Sequence, residues 1–143
     1  LAQPICDWVA ADRPFFGICV GLQILFESSE ESPGELGLGV FKGTVTRFPE
    51  SHLKVPHMGW NPLRIRDSND QIWTGLPESP HLYFVHSYFA RPEDESIIAA
   101  NCDYGVKFCA AVRRGRLFAC QFHPEKSQKL GAKVIANFLK KPV

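Results

Sequence analysis

The sequence predicts an α/β fold: a mostly parallel central sheet flanked by helices, with an antiparallel β-rich portion. Three observations carry this. A short apolar run passes through a glycine-flanked turn into a helical pattern at "FFGICVGLQILF", strand patterns predominate from about 39 to 122, and an amphipathic helix closes the chain at "SQKLGAKVIANFLKK". With 143 residues, of which 45% are apolar and 22% charged, the chain fits one domain, 1–143, with a real core.

Taken in order, "LAQPICDWVAADR" reads as the tail of a helix, with Ile5, Trp8 and Val9 at helical spacing before the breaker Pro14. "FFGICV" reads as a buried strand. Leu22, Ile24, Leu25 and Phe26 then mark a short helix that fades into the acidic "ESSEES" and the turn "PGELGLG". In the middle, "GVFKGTVTRF" alternates around glycines, two prolines interrupt "HLKVPHMGWNPLRI", and "HLYFVHSYFARP" reads as one strong aromatic strand. "SIIAANCDYG" is a further strand, and "VKFCAAVRRGRLFACQFHP" a hairpin turning at "RRGR". The last helix places Leu130, Val134 and Phe138 on one face, with Ser127 as its expected N-cap.

Composition excludes several classes. The 16 basic and 15 acidic residues nearly cancel and form no long block, so neither a nucleic-acid groove nor a polybasic membrane anchor is expected. Apolar runs fall far short of the roughly 20 residues that span a bilayer. The five cysteines are odd in number and lack C-x-x-C spacing, which fits a reduced, cytoplasmic setting and calls for no metal or other cofactor.

Two motifs carry chemistry. In "GICVG", Cys19 stands between two glycines on a strand-to-helix turn, an arrangement that lifts a side chain to the carboxyl edge of a sheet. A helix N-terminus behind it would lower the thiol pKa and offer the Val20 amide to a developing oxyanion. Alone, the motif fits a buried core cysteine better than a nucleophile. "QFHPEKS" adds His123 at a strand end and Glu125 two residues on, where an extended chain points both side chains the same way. A distant Cys, His and acid are the components of an activated thiol nucleophile. Cys6, Cys102, Cys109 and Cys120 lie in apolar or alternating stretches and read as structural.

"GICVGLQ" followed by "QFHPEKS" resembles the class I (triad) glutamine amidotransferases, which are flavodoxin-like. With "KVPHMGWN" and "YFVHSY", the chain is similar from Pro14 to about Leu139 to the glutaminase subunit or domain of imidazole glycerol phosphate synthase, in histidine biosynthesis. The resemblance implies that Cys19 attacks the γ-carboxamide of glutamine, that His123 carries the proton to departing ammonia, and that Glu125 holds His123. Gln23 and Glu31 match positions that hold the α-amino and α-carboxylate groups, with His86, Ser87 and Tyr88 closing the pocket. The implied partner is a (β/α)₈-barrel cyclase that uses the ammonia to form imidazole glycerol phosphate and an aminoimidazole carboxamide ribotide. Pro56, Met58, Trp60 and Lys126 match the face toward it, although Met58 and Trp60 suit an ordinary core as well.

A complete member of that family begins with a further βαβ unit, whose Pro-Gly-rich loop gives a second oxyanion donor. The chain is therefore expected to be N-terminally incomplete. The alternative function is a catalytically impaired binding module of the same fold, docked on the barrel.

Overall fold

A computed structural model describes residues 1–51 and 53–140. The helix α1 (Ala2–Ala10) ends ahead of Pro14, and the Trp8 indole folds back to donate to the Pro14 carbonyl at 2.7 Å. The strand β1 (Phe15–Ile18) then runs straight into the nucleophile turn and the helix α2 (Val20–Gln23). Nine further strands follow: β2 (Ser28–Ser29), β3 (Gly43–Arg47), β4 (His57–Pro62), β5 (Arg64–Ile65), β6 (His81–His86), β7 (Tyr88–Pro92), β8 (Ile98–Asp103), β9 (Lys107–Arg114) and β10 (Leu117–Cys120). The helix α3 (Gln128–Leu139) closes the chain.

Among the described residues the strands form a five-stranded sheet in the order β1-β10-β9-β8-β5, a three-stranded sheet β2-β3-β7 and a two-stranded ribbon β4-β6. The α/β class holds, but strand direction differs from the expectation. In the five-stranded sheet only β1 and β10 run parallel, and the other three pairings are antiparallel. The cause is connection length. A parallel neighbour needs a long crossover, such as the one from β1 to β10, whereas the short turns joining β8, β9 and β10 reverse the chain each time.

Two apolar layers sandwich the main sheet. On β10, Leu117 and Ala119 join Leu22, Leu25, Phe26 and Val45 on one face, while Phe118 and Cys120 join Phe84, Phe108, Phe122 and Val134 on the other. All four β10 residues are buried, as a strand covered on both faces requires. Val134 is buried against this second layer with Leu130 and Phe138 beside it, as the helical spacing predicts.

Three expected elements come out differently. The helix after Cys19 is a single turn, because the carbonyls of Ile24, Leu25 and Phe26 are taken by the amides of Leu38, Phe41 and Gly39 and not by a further helical turn. A Cβ at Gly37 would sit 1.9 Å from the Phe26 carbonyl oxygen, so only glycine permits this approach. "ESSEES" thereby becomes β2 and a turn, and Glu31 lies beyond the helix. "HLYFVHSYFARP" is two strands in different sheets: His86 pairs with His57, while Tyr88, two residues on, pairs with Arg47. Burial alternates up to His86 and loses its phase at Ser87, but the sequence there stays aromatic and β-branched and does not mark the change of partner. Finally, Ser127 occupies the N-cap position of α3 without capping it, as its hydroxyl is engaged elsewhere.

Phe84 is fully buried, with its ring among those of His57, Phe108 and Phe122. Phe84→Ala is expected to lower stability by about 3–5 kcal/mol through lost burial and a residual cavity. In urea denaturation the midpoint should fall with an unchanged m-value.

Candidate active site

The site forms where the two parallel strands end. Register sets Ile18 opposite Cys120, and the ladder continues one step as the Cys19 amide donates to the Cys120 carbonyl at 2.8 Å. Cys19 and Gln121 therefore emerge side by side, with His123 two residues further along.

Cys19 has φ +53° and ψ −101°, a conformation of the left-handed side that a residue with a Cβ seldom adopts. The turn is tight enough that a Cβ at Gly17 would lie 2.7 Å from the Gly21 carbonyl oxygen and 3.1 Å from the Ala119 Cβ. A Cβ at Gly21 meets nothing within 4 Å, so packing demands the first glycine of the motif but not the second.

The thiol does not behave as the helix-dipole argument expects. Burial pushes its pKa above the ordinary value, and the Glu125 and Glu31 carboxylates add to the rise. The Val20 amide and the Gln121 side chain, both donors to the sulfur, work in the opposite direction and do not prevail. A single helical turn sums too few peptide dipoles to offset desolvation. The raised pKa keeps Cys19 a thiol at rest, so a nucleophilic role there would need a base.

His123 is the base at hand. Its Nδ1 lies 3.1 Å from Glu125 Oε2, as the spacing of the two residues predicts, so the carboxylate fixes the ring with Nδ1 protonated and leaves Nε2 to accept. The backbone is held independently. The His123 amide donates to the Tyr83 carbonyl at 2.9 Å, while the Ser127 hydroxyl donates to the His123 carbonyl at 2.6 Å and accepts from the Tyr83 amide at 3.0 Å.

Gln23, Glu31 and Val20 line one open depression with Ile24, Ser28 and Ser29. Gln23 Nε2 already donates to the Tyr88 carbonyl and to Gln121 Oε1, each at 3.0 Å, so what Gln23 offers a ligand is its Oε1 acceptor. His86 is buried and both its ring nitrogens are engaged, Nδ1 with the Tyr88 carbonyl at 2.9 Å and Nε2 with His57 Nδ1 at 3.1 Å. Its ring therefore points into the core and not into the depression. Ser87 and Tyr88 are half-buried at the switch between sheets.

Met58 and Trp60 are 55% and 44% exposed on the outer face of β4, opposite Val85 and Tyr83, and are not core. Pro56 is half-buried at the start of that strand, and Lys126 is exposed on the turn after His123. Cys102, Cys109 and Cys120 are buried. Burial pushes the thiols of Cys102 and Cys109 up to about 12 and that of Cys120 upward as well, as structural cysteines require.

Gln121, His57 and Asn61 escape sequence reasoning. The His57 ring links His86 to Asn61, with Nε2 2.7 Å from the Asn61 side-chain amide. The available signal was a glutamine at an inward position of the otherwise apolar "FACQF". Among the described residues no metal-ligating cluster forms, and no helix is long and apolar enough to cross a membrane.

A thiol elbow at one strand end and a His–Glu pair beyond its parallel neighbour are the arrangement that a triad amidotransferase would use. The chain belongs to the class-I glutamine amidotransferase family, whose model it matches over residues 2–142. Among curated proteins it is similar to imidazole glycerol phosphate synthase subunit HisH of Rhodopirellula baltica, at 51% identity across 100% of this chain and 69% of the relative. The same subunit of Thermosynechococcus vestitus is 55% identical across 88% of this chain and 61% of the relative. The chain spans about two thirds of the length of the curated relatives it matches.

Solved structures share the fold. PurLQS from Thermotoga maritima matches with a TM-score of 0.71 at 18% identity, covering 96% of this chain and 66% of that one. A glutamine amidotransferase from the same organism matches with a TM-score of 0.63 at 18% identity, covering 96% and 51%.

Burial lowers the His86 pKa from 6.5 to about 4; His57 and His123 add to the fall, and the Tyr88 carbonyl opposes it. Between these values the unfolded chain binds the proton that the folded chain refuses, so stability rises with pH across the window. The contribution should be complete above about pH 6.5 and lost toward pH 4, by roughly 3 kcal/mol in all. Urea midpoints measured from pH 7.5 to 4.5 should fall in the parent and fall less in His86→Asn.

Proposed function

We propose that this chain is the glutaminase component of an imidazole glycerol phosphate synthase in histidine biosynthesis. The observation that carries the reading is that Cys19, on a strained elbow, leaves the sheet at the strand end next to the one that leads on to the bonded His123–Glu125 pair. The relatives named as subunit HisH direct it to this synthase and not to another amidotransferase.

The chemistry follows from the geometry. Glutamine enters the depression with its α-ammonium toward Gln23 Oε1 and the Glu31 carboxylate, because both groups can only accept. The Tyr88 carbonyl holds Gln23 in place from behind, and the resemblance assigns Ser87 and Tyr88 to closing the pocket. His123 Nε2 removes the Cys19 proton as sulfur attacks the γ-carbonyl carbon, and the carbonyl oxygen, now anionic, takes the Val20 amide. Collapse expels the amine with the proton from His123, giving ammonia and a glutamyl thioester. His123 next deprotonates a water that attacks the thioester, and glutamate leaves as the thiol re-forms. The sum is glutamine plus water to glutamate plus ammonia. Glu125 stabilises the imidazolium through both halves.

The partner is a (β/α)₈-barrel cyclase that consumes the ammonia. It docks on the outer face of β4 through Pro56, Met58 and Trp60, with Lys126 beside the triad. Two exposed large apolar side chains on one short strand suit the apolar centre of such an interface.

Cys19→Ala is expected to reduce glutamate release, measured with the cyclase present, by at least about a thousand-fold. Glu125→Gln should cost on the order of a hundred- to ten-thousand-fold in kcat. Unchanged release by Cys19→Ala defeats the triad assignment. Tight cyclase binding with no glutamyl thioester on mixing with glutamine identifies a binding module.

A further inference from the structure

We propose that Gln121 is a further catalytic residue: its Nε2–H, aimed at the Cys19 sulfur by a relay of side-chain amides that ends on the Tyr88 carbonyl, stabilises the thiolate from which the nucleophile attacks. The proposal rests on the reading of Cys19 as the nucleophile.

The direction of the relay is fixed by chemistry. An amide side chain has one end that donates and one that accepts, and either can face a neighbour. The Tyr88 carbonyl, however, only accepts. Gln23 must therefore present Nε2 to it, at 3.0 Å, and the same Nε2 reaches Gln121 at 3.0 Å. Facing a donor, Gln121 turns Oε1 toward Gln23, which leaves its own Nε2 directed at Cys19 Sγ, 3.4 Å away. The opposite orientation of either glutamine would set two acceptors, or two donors, against each other in a buried space. His86 Nδ1 also donates to the Tyr88 carbonyl, at 2.9 Å, so that oxygen is held from a second side.

Gln121 is also held in place. It has no exposed surface, and its amide donates to the Ala110 carbonyl at 2.8 Å where β10 ends. A fully buried, fully bonded glutamine has little rotational freedom, so the donor stands ready before substrate arrives.

Thiolate formation needs this donor. Burial, Glu125 and Glu31 all oppose a negative sulfur, and the groups that favour it are the Val20 amide and Gln121. During attack the Val20 amide is needed by the carbonyl oxygen. From that moment Gln121 is the donor that remains on sulfur. The same N–H serves the second half of the reaction, because sulfur leaves the thioester as a thiolate. Gln23 acts through Gln121 and is a positioning residue in this respect.

The test is the pH dependence of alkylation of Cys19 by iodoacetamide, followed on the Cys19 peptide by mass spectrometry. It requires neither glutamine nor a cyclase, so its outcome is read separately from that of the glutaminase assay. In Gln121→Met, which keeps the length and removes the donor, the alkylation midpoint should rise by about one to two pH units. Gln23→Leu should shift it the same way by less, and the double variant should match Gln121→Met alone, because the two act in series. An unshifted midpoint in folded Gln121→Met overturns the proposal, as do additive shifts in the double variant. If circular dichroism shows Gln121→Met unfolded, Gln23→Leu decides: an upward shift supports the relay and none overturns it.

Discussion

The parallel pairing of β1 with β10 is the constraint on which the rest of the site depends. Each strand taken singly ends in an ordinary way, one just ahead of Cys19 and the other three residues short of His123. Setting Ile18 opposite Cys120 converts two distant stretches into one reactive edge. A slip of one residue would turn Phe118 and Leu117 to the wrong layers as well as moving Cys19 away from Gln121, so core burial and the geometry of the candidate site require the same register. The strain at Cys19 is sustained by that agreement, since the turn is clamped between a ladder bond to Cys120 and close backbone packing at Gly17.

Much of this was legible in the residues. The elbow, the His123–Glu125 pair, the hairpin turning at Gly115 and the apolar face of α3 all follow from local rules in which spacing decides geometry. What stayed hidden depends on partners far along the chain. The one-turn length of α2 is set by amides of residues 38–41, the split at Ser87 by two different sheets, and the inward turn of the His86 ring by His57. Gln121 was hidden for the same reason, because a glutamine at a strand end gains meaning only when the sulfur beside it is known. The pKa of Cys19 was misjudged because helix length was, and a dipole argument is only as long as its helix.

Buried polar groups divide the molecule into two chemistries. The layer around Leu22, Leu25 and Phe26 meets Gln121 at its edge, beside Gln23 and Cys19, whereas the ribbon side buries His57 and His86 within an aromatic cluster and Ser127 behind the His123 turn. Each of these polar side chains is satisfied, so the cluster carries no orphaned donor or acceptor among the described residues. Satisfied networks of this kind specify one arrangement, because moving any member strands its neighbours.

Tyr83 illustrates what such an arrangement conceals. Its carbonyl accepts from the His123 amide and its amide donates to the Ser127 hydroxyl oxygen, while its half-buried ring leans on Trp60 at the surface. The share of the grip on the His123 turn that Tyr83 supplies is therefore made by its main chain. Substitution at 83 is free to follow whatever the surface demands without loosening the base, with proline the exception because it would delete the amide. The side chain at 83 and the mechanical role at 83 are thus separable, because the role resides in the peptide groups and not in the ring.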